Sequence, residues 1–267
     1  MGVLRRNRVN VVGDPDGPVV MLAHGFGCDQ SMWRLVVPRL AARHRLVLFD
    51  YVGAGGSDPT AWSEERYSSL EGYARDVVEI CEELDLRDVT FVGHSVSSMI
   101  GVLAARAAPE RITALAMITP SPCYIDKGEY HGGFSADDID ELLASLDANY
   151  LGWSSAMAPV IMGNPDRPEL GEELTESFCS TDPAMARVFA QATFLSDNRD
   201  DLAGVDVPTL VVDCSQDAIA PPQVGAFVHD RIPGSRQVTL DANGHCPQLS
   251  NPDVTADAVL EFLDRIR

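Results

Sequence analysis

The sequence predicts an α/β fold with a mostly parallel, doubly wound sheet and a helical lid. Short apolar runs alternate with helical segments before residue 120 and again after residue 200, an order typical of parallel sheets. Between residues 121 and 199 the alternation stops, and several short helical segments follow one another. The 267 residues, 45% of them hydrophobic, suffice for one domain with a substantial core. We therefore predict a core of residues 1–120 and 200–267, with a lid of residues 121–199 inserted after the sixth strand.

Six apolar runs predict strands of the sheet, at 19–23, 45–49, 89–92, 115–118, 209–212 and 236–240. Helices are expected between them, notably at 70–86 and 96–108. In the first of these helices, one buried face is indicated by the spacing of Leu70, Tyr73, Val77, Ile80, Cys81 and Leu84. We expect the acidic residues of this helix to lie on its outer face.

Clusters of helix-breaking residues divide the predicted lid into short helices. The breaks lie at Gly132-Gly133, at Gly163-Asn164-Pro165 and at Thr181-Asp182-Pro183. Ser135 and Asp182 each precede a helical segment, and both side chains can accept hydrogen bonds from the first free N–H groups of a helix. We therefore predict helix starts at these two positions.

The segment Gly93-His94-Ser95-Val96-Ser97 is typical of a nucleophile elbow, because an apolar strand ends there and a helix begins at once. Such a sharp turn lifts one side chain out of the sheet and needs small neighbours, since its backbone is strained and crowded. Gly93 provides one small neighbour. Ser97 provides the other, where glycine is usual. Ser95 is therefore the candidate nucleophile.

A serine nucleophile needs a base and an acid that orients the base. His245 follows the last predicted strand and is the candidate base. Asp217 lies on the loop after strand 209–212, where its carboxylate can turn toward a histidine, and it is the predicted acid. Asp213, the alternative, abuts the strand and is expected to be buried at the sheet edge. The chain order Ser, Asp, His is that of the α/β-hydrolase arrangement.

The segment His24-Gly25-Phe26-Gly27 follows the strand at 19–23 and predicts an oxyanion hole. Its glycines let the backbone approach a ligand closely. We assign the two donors to the backbone N–H groups of Phe26 and Val96, aimed at the negative charge that develops on the attacked carbonyl.

Composition argues against several other classes of protein. The formal charge of −20 opposes binding to nucleic acids and to anionic membranes. The six cysteines show no paired short spacing, so neither a zinc site nor a redox pair is expected, and Cys246 is expected to be a small buried hydrophobe. The N-terminus predicts no secretory signal, and no segment approaches the roughly 20 apolar residues that span a bilayer. We expect a cytoplasmic protein that needs no cofactor and no metal.

Several motifs together resemble the RsbQ group of α/β hydrolases, which includes the plant karrikin and strigolactone receptors. The resemblance runs from the first strand to the final helix and is carried by 24–33, 48–53, 93–97, 121–124 and 244–247. It implies the α/β-hydrolase fold, and Ser97 is similar to the residue of the plant receptors at that position.

The predicted lid would cover Ser95, so its apolar side chains are candidates for the wall of a substrate pocket. These candidates are Phe134, Trp153, Met157, Phe178 and Phe194, with Phe26 and His94 contributed by the core. The resemblance favours Phe134, Trp153 and Phe194, whereas Met157 falls where several relatives carry a larger aromatic side chain. A closed apolar pocket favours a small hydrophobic ligand.

Two classes of function remain open at this point. The first is a serine hydrolase that cleaves a small hydrophobic ester or lactone through an acyl-enzyme. The second, implied by the resemblance, is a signalling protein with slow hydrolysis that senses a ligand and contacts a partner at the lid, as RsbQ-like proteins work with a phosphatase. Cofactor-free carbon–carbon bond hydrolases and haloperoxidases keep the same triad and are a further alternative.

Overall fold

The structure is a computed structural model that describes residues 2–266. Its sheet has seven strands among these residues: β1 Asn10–Gly13, β2 Val19–Ala23, β3 Arg45–Leu48, β4 Val89–His94, β5 Ile112–Ile118, β6 Thr209–Gln216 and β7 Arg236–Asn243. The strand order is β1-β3-β2-β4-β5-β6-β7. Only β1 pairs in antiparallel fashion, with β3. The predicted α/β fold with a mostly parallel sheet is confirmed.

Within the described residues, twelve α-helices connect or flank these strands. They are α1 Val3–Arg6, α2 Val37–Leu40, α3 Glu64–Tyr67, α4 Leu70–Glu83, α5 Val96–Ala107, α6 Ala136–Ala148, α7 Tyr150–Met162, α8 Pro168–Cys179, α9 Pro183–Phe194, α10 Pro222–Arg231, α11 Pro247–Ser250 and α12 Pro252–Arg265. Short 3-10 helices lie at Gln30–Trp33, Pro59–Ala61 and Arg199–Gly204.

Side chains of the central strands alternate between two buried layers, as the two-residue period of a strand requires. In β2, Val20 and Leu22 join the layer that includes α2, α12 and the helices α6 to α9. Met21 and Ala23 join the opposite layer, with α4, α5 and α10. Because both faces of the sheet are covered, the strands read as nearly continuous apolar runs.

The edge strand β1 was not predicted from the sequence. All four of its residues are exposed, and Val11 and Val12 retain 43% and 42% of their surface. The predicted position of the lid after the sixth strand is wrong in its count. Four strands were predicted before residue 121, and the structure adds β1 before them. Helices α6 to α9 therefore follow the fifth strand.

Helix α4 buries the predicted face but not only apolar side chains. It ends at Glu83 rather than at residue 86, and Leu84 follows as its cap. The expectation that its acidic residues face outward is wrong for Asp76, which is fully buried. Its carboxylate accepts hydrogen bonds from the side chains of Arg6, Asn7, Arg66 and Tyr67, which compensate for the lost hydration.

The four helices α6 to α9 lie between β5 and β6 in the chain. The two predicted helix starts are confirmed. The Ser135 hydroxyl accepts from the Asp138 N–H, and the Asp138 carboxylate accepts from the Ser135 N–H, which forms a capping box. The Asp182 carboxylate accepts from the N–H groups of Ala184 and Met185 at the start of α9.

Candidate active site

Ser95 lies between β4 and α5 with backbone angles φ 57° and ψ −124°. A non-glycine residue with positive φ is strained, and such strain is a recurrent property of functional sites. The turn is also crowded, because a Cβ atom at Gly93 would lie 2.5 Å from the Ser97 carbonyl oxygen. Glycine at 93 is therefore required for the chain to reverse so sharply.

Ser97, in the position where glycine is usual, makes two hydrogen bonds through its hydroxyl. Its hydroxyl donates to the His24 carbonyl and accepts from the Tyr51 hydroxyl, at 2.9 Å. The side chain is fully buried, and its hydroxyl both donates one hydrogen bond and accepts one. Ser97 therefore joins the turn at Ser95 to the glycine-containing segment that begins at His24.

Ser95, His245 and Asp217 form one chain of hydrogen bonds. The Ser95 Oγ lies 2.7 Å from Nε2 of His245, and the His245 Nδ1 lies 2.7 Å from Oδ2 of Asp217. Because the carboxylate can only accept, Nδ1 carries the proton and Nε2 is free to accept the Ser95 proton. All three residues are buried. This arrangement can activate a serine hydroxyl.

The two candidate acids differ in what their carboxylates contact. The second oxygen of Asp217 accepts the N–H groups of Ile219 and Ala220, at 2.8 and 3.1 Å, which orients the carboxylate toward His245. Asp213 instead accepts from the Gln237 side chain, and burial raises the pKa of its carboxyl. Asp213 thus lies buried within β6, as expected from its place in the strand, and its hydrogen-bond partner is Gln237 rather than His245.

The backbone of His245 is held from three directions. Its carbonyl oxygen accepts from Nε2 of His94 at 2.8 Å and from the Thr119 hydroxyl at 3.0 Å. Its N–H donates to the Ile161 carbonyl at 2.8 Å, near the end of α7. His245 is therefore attached both to the sheet region and to α7.

Gly244, next to His245, has a backbone angle φ of 85° and touches the end of α7. A Cβ there would lie 1.8 Å from the Met162 carbonyl oxygen. We expect Gly244→Ala to lower kcat/KM for an aryl ester by about 10- to 100-fold, because His245 must shift. It should also lower the free energy of unfolding by about 2–4 kcal/mol, measured by urea titration.

Gly234→Ala is the matched control, because its φ of 75° is also positive but nothing lies within 4 Å of the added Cβ. It isolates the backbone strain from the contact with α7. Equal losses of activity in the two variants would contradict the predicted displacement of His245.

The segment from His24 to Gly27 passes beside Ser95. The His24 Nδ1–H donates to the Gly25 carbonyl at 2.9 Å, and its Nε2 accepts from the Tyr51 N–H. Burial lowers the pKa of His24, so the ring stays neutral. Neither the Phe26 N–H nor the Val96 N–H donates a hydrogen bond to another residue within 2–266. Two backbone donors are thus available close to the nucleophile.

A cavity lies directly over Ser95. Its volume is about 30 Å³. Its wall is mostly apolar and is formed by Phe26, Cys28, His94, Ser95, Tyr124, Leu142, Trp153, Met157, Ile161, Leu174, Phe178, Thr193, Phe194, Ile219, His245 and Cys246. The space is narrow, so it favours a small ligand.

Aromatic rings from three helices surround Phe26. The centroids of Trp153 on α7, Phe178 on α8 and Phe194 on α9 lie 6.2, 5.8 and 6.0 Å from that of Phe26. These are ordinary distances for aromatic contacts. All of the sequence-predicted pocket residues except Phe134 are brought to the cavity wall.

Phe134 was expected in the pocket and lies outside the cavity wall. Its N–H donates to the Tyr124 carbonyl, and its backbone forms a bridge with Ile125. This pairing draws Phe134 back beside the segment after β5, where its half-buried ring packs against the core.

Two hydroxyl-bearing residues of the cavity wall were not predicted from the sequence. The Tyr124 OH lies 3.4 Å from the Ser95 Oγ, and burial raises the pKa of Tyr124 to about 12. The Thr193 hydroxyl is buried and has no hydrogen-bond partner. Tyr124 could have been identified from the sequence, because it lies in one of the motifs that carry the family resemblance. Nothing in the sequence distinguishes Thr193.

Burial sets the protonation state of two further groups beside His245. It lowers the pKa of His94 to about 3, so this ring is neutral and its Nε2–H donates to the His245 carbonyl. Burial also raises the pKa of Cys246 well above its usual value. Cys246 is therefore a buried thiol, as expected, and not a thiolate nucleophile.

The neutral state of His94 predicts a loss of stability in acid. The unfolded chain binds a proton at this histidine below about pH 6.5, whereas the folded chain does so only near pH 3, so stability falls as the pH falls between these values. We expect His94→Gln to reduce the loss of unfolding free energy between pH 7 and pH 5 by about 2 kcal/mol. Urea titrations at both pH values measure it.

His131→Gln, at an exposed position, serves as the control and should show the wild-type pH dependence. If His94→Gln and His131→Gln change the pH dependence equally, the buried histidine is not its source.

Residues 2–266 contain no group of three or more histidine, cysteine, aspartate or glutamate side chains arranged to hold a metal ion. Among the same residues, none of the helices has both the length and the apolar character needed to cross a membrane.

Comparisons with known proteins agree on the family of this fold. The alpha/beta hydrolase family model matches residues 19–258. The karrikin insensitive 2 receptor CA of Petunia hybrida is 38% identical, over 98% of this chain and 98% of that protein. The strigolactone esterase D14 of Arabidopsis thaliana is 35% identical over 98% of each chain. The solved structure of olei00960, a hydrolase from Oleispira antarctica, has a TM-score of 0.95 and 43% identity, covering 98% of this chain and 96% of that one.

Proposed function

Because the chain belongs to the alpha/beta hydrolase family, we propose that it is a serine hydrolase that cleaves a small hydrophobic ester or lactone. The observation that carries this proposal is the chain of 2.7 Å hydrogen bonds from Ser95 through His245 to Asp217, beneath an apolar cavity. Its relatives include proteins named as esterases, which supports the same chemistry.

In the first step, Nε2 of His245 takes the Ser95 proton while the Ser95 Oγ attacks the carbonyl carbon. Asp217 holds the imidazole in the required tautomer and stabilises the imidazolium that forms. The N–H groups of Phe26 and Val96 stabilise the oxyanion. When the tetrahedral intermediate collapses, His245 gives its proton to the leaving alcohol, and the acyl group remains on Ser95.

In the second step, His245 takes a proton from water, and the hydroxide attacks the acyl-enzyme carbonyl. The Ser95 oxygen leaves and receives the proton back from His245, which releases the acid. With a lactone, the alcohol and the acyl group belong to one molecule, so the first step opens the ring and the second releases a hydroxy acid.

We propose that residues 121–199 act as a lid over the core formed by 1–120 and 200–267. Aromatic side chains of α7, α8 and α9 contact Phe26 beside the nucleophile, which supports this division. The narrow cavity supports a small substrate and implies that side chains or helices of the lid move when a larger molecule enters.

Intact-protein mass spectrometry tests the proposed chemistry. Wild type and Ser95→Ala are incubated briefly with small aryl esters and butenolide lactones. We expect the wild type either to turn the compounds over or to gain the mass of one acyl group, and Ser95→Ala to do neither. Turnover by Ser95→Ala, or no reaction of the wild type with any compound, would refute the proposal.

A second candidate function is ligand sensing, in which slow hydrolysis changes the lid and thereby a contact with a signalling protein of the phosphatase type. The hydrogen bond from the His245 N–H to the Ile161 carbonyl favours it, because this bond connects the candidate base to the end of α7. Relatives named as karrikin receptors support the same idea. A persistent acyl adduct would favour sensing, and rapid turnover would favour a metabolic esterase.

Hydrogen exchange distinguishes these two functions further. If the protein is a sensor, a reacting lactone should change the protection of amides in α6 to α9 in the wild type, and much less in Ser95→Ala. Unchanged protection in the wild type during turnover would remove the support for sensing.

We further propose a cytoplasmic location. All six cysteines are free, and five of them are buried, which fits a reducing compartment. Subcellular fractionation of the source cells with an antibody against this chain tests the location, and recovery outside the cytoplasmic fraction would contradict it.

A further inference from the structure

Thr193 contributes a hydroxyl to the cavity wall that no other residue uses. The residue is 1% exposed, lies in the last turn of α9, and lines the cavity over Ser95. Its Oγ1 is buried and has no hydrogen-bond partner within residues 2–266. A buried hydroxyl without a partner costs about 1–3 kcal/mol, so its presence calls for a physical explanation.

Other hydroxyl groups of the lid helices behave differently. A helical serine or threonine commonly donates to the carbonyl four residues earlier. Ser154 donates to Tyr150 at 2.8 Å, Ser155 to Leu151 at 3.0 Å, and Thr175 to Gly171 at 2.8 Å. Thr193 makes no such bond to the carbonyl four residues earlier, so its hydrogen is left undonated at the cavity wall.

The other polar groups of the wall already have partners or cannot donate. Ser95 and His245 bind each other, and the Tyr124 OH lies against the Ser95 Oγ. His94 has an unpartnered Nδ1, but its ring proton is on Nε2, so Nδ1 is an acceptor and not a donor. Thr193 thus has a buried hydroxyl without a hydrogen-bond partner, in a residue that lines a mostly apolar cavity.

We propose that Thr193 determines specificity by donating a hydrogen bond to a second oxygen of the substrate, remote from the carbonyl that Ser95 attacks. The substrate class is then an ester or lactone that carries an additional acceptor oxygen, such as a ketone or a second ester carbonyl. This inference rests on the proposed function for the reacting carbonyl, but it concerns binding and can be measured without turnover.

The test uses methyl esters of 3-, 4- and 5-oxo acids, each compared with the analogue that carries a methyl branch in place of the oxo oxygen. The oxo and methyl groups are similar in size, and comparison of each pair between the parent protein and Thr193 variants isolates the hydrogen bond. The series varies the distance to the reacting carbonyl. Dissociation constants are measured by NMR titration in the Ser95→Ala background, and kcat/KM is measured in the Ser95 enzyme.

For at least one chain length, we expect the oxo ester to be preferred by about 10-fold, which corresponds to one hydrogen bond of about 1.4 kcal/mol. Thr193→Val removes the hydroxyl with little change in shape and should abolish this preference. Thr193→Ser keeps the hydroxyl and should retain it. A preference for the oxo ester that depends on the hydroxyl, and not on the packing of the side chain, would identify the proposed role of Thr193.

The proposal is overturned if the parent protein prefers no oxo ester or binds none of the pairs, or if Thr193→Val keeps the preference. Loss of the preference in Tyr124→Phe but not in Thr193→Val would assign the oxygen to Tyr124 and also overturn it. Selective binding by Ser95→Ala together with no hydrolysis by the Ser95 enzyme would refute the proposed function while supporting the role of Thr193.

Discussion

Ser95→Ala is expected to lower kcat/KM for an activated aryl ester by about 10⁴-fold or more, because no other group in the cavity can replace the attacking oxygen. The residual rate should come from the oxyanion donors and from binding alone. Tyr124 has a raised pKa of about 12 and Cys246 is a buried thiol, so neither supplies a nucleophile at neutral pH. Steady-state kinetics with an aryl ester measure the effect.

Ser98→Ala is the matched control, because Ser98 lies in the first turn of α5, which follows Ser95, and its hydroxyl donates to the Gly93 carbonyl rather than to His245. We expect it to retain activity within about 10-fold of the wild type, as for substitutions away from reacting atoms. A Ser95→Ala enzyme with more than a tenth of the wild-type activity would show that the hydrolysis takes another route.

Asp217→Asn is expected to lower kcat by about 10⁴-fold with little change in folding. The amide that replaces the carboxylate would donate toward Nδ1 of His245, which leaves the imidazole proton on Nε2. In that tautomer His245 cannot accept the Ser95 proton. The loss therefore arises from the position of one proton and not from a lost contact. Single-turnover kinetics, with circular dichroism to check folding, measure it.

Asp213→Asn gives the matched comparison, since Asp213 is a buried carboxylate only four positions away and has Gln237 as its partner. We expect it to lose less than about 10-fold in kcat, because its partner is not the base. A larger loss in Asp213→Asn than in Asp217→Asn would reverse the assignment of the acid.

The sequence predicted those parts of the molecule that depend on residues close together in the chain. The buried strands were recognisable because both faces of the sheet are covered, and the exposed β1 was missed because it lacks that signal. The resemblance to the hydrolases that include the karrikin and strigolactone receptors, predicted from short motifs, is confirmed by relatives aligned over nearly the whole chain. Asp217 and His245 could be named because chain order and loop position are readable from the sequence.

The cavity wall was harder to predict, because it depends on how helices α6 to α9 are rotated against one another. Spacing cannot show which side of α9 faces Ser95, so Phe194 was named and its neighbour Thr193 was not. Phe134 was misplaced for a different reason, since a backbone bridge to Ile125 carries it away from the cavity. The burial of Asp76 was also not predicted, because the carboxylate is stabilised by the guanidinium groups of Arg6 and Arg66, which are distant in the chain.

The contact between the end of α7 and the loop that carries His245 limits how this enzyme can be recombined with its relatives. Gly244 fits against the Met162 carbonyl, and the Asn164 side chain donates to the Asn243 carbonyl at 3.0 Å. A chimaera that exchanges residues 121–199 alone would separate the two sides of this contact. Chimaeras with relatives should therefore exchange residues 121–199 together with residues 243–245.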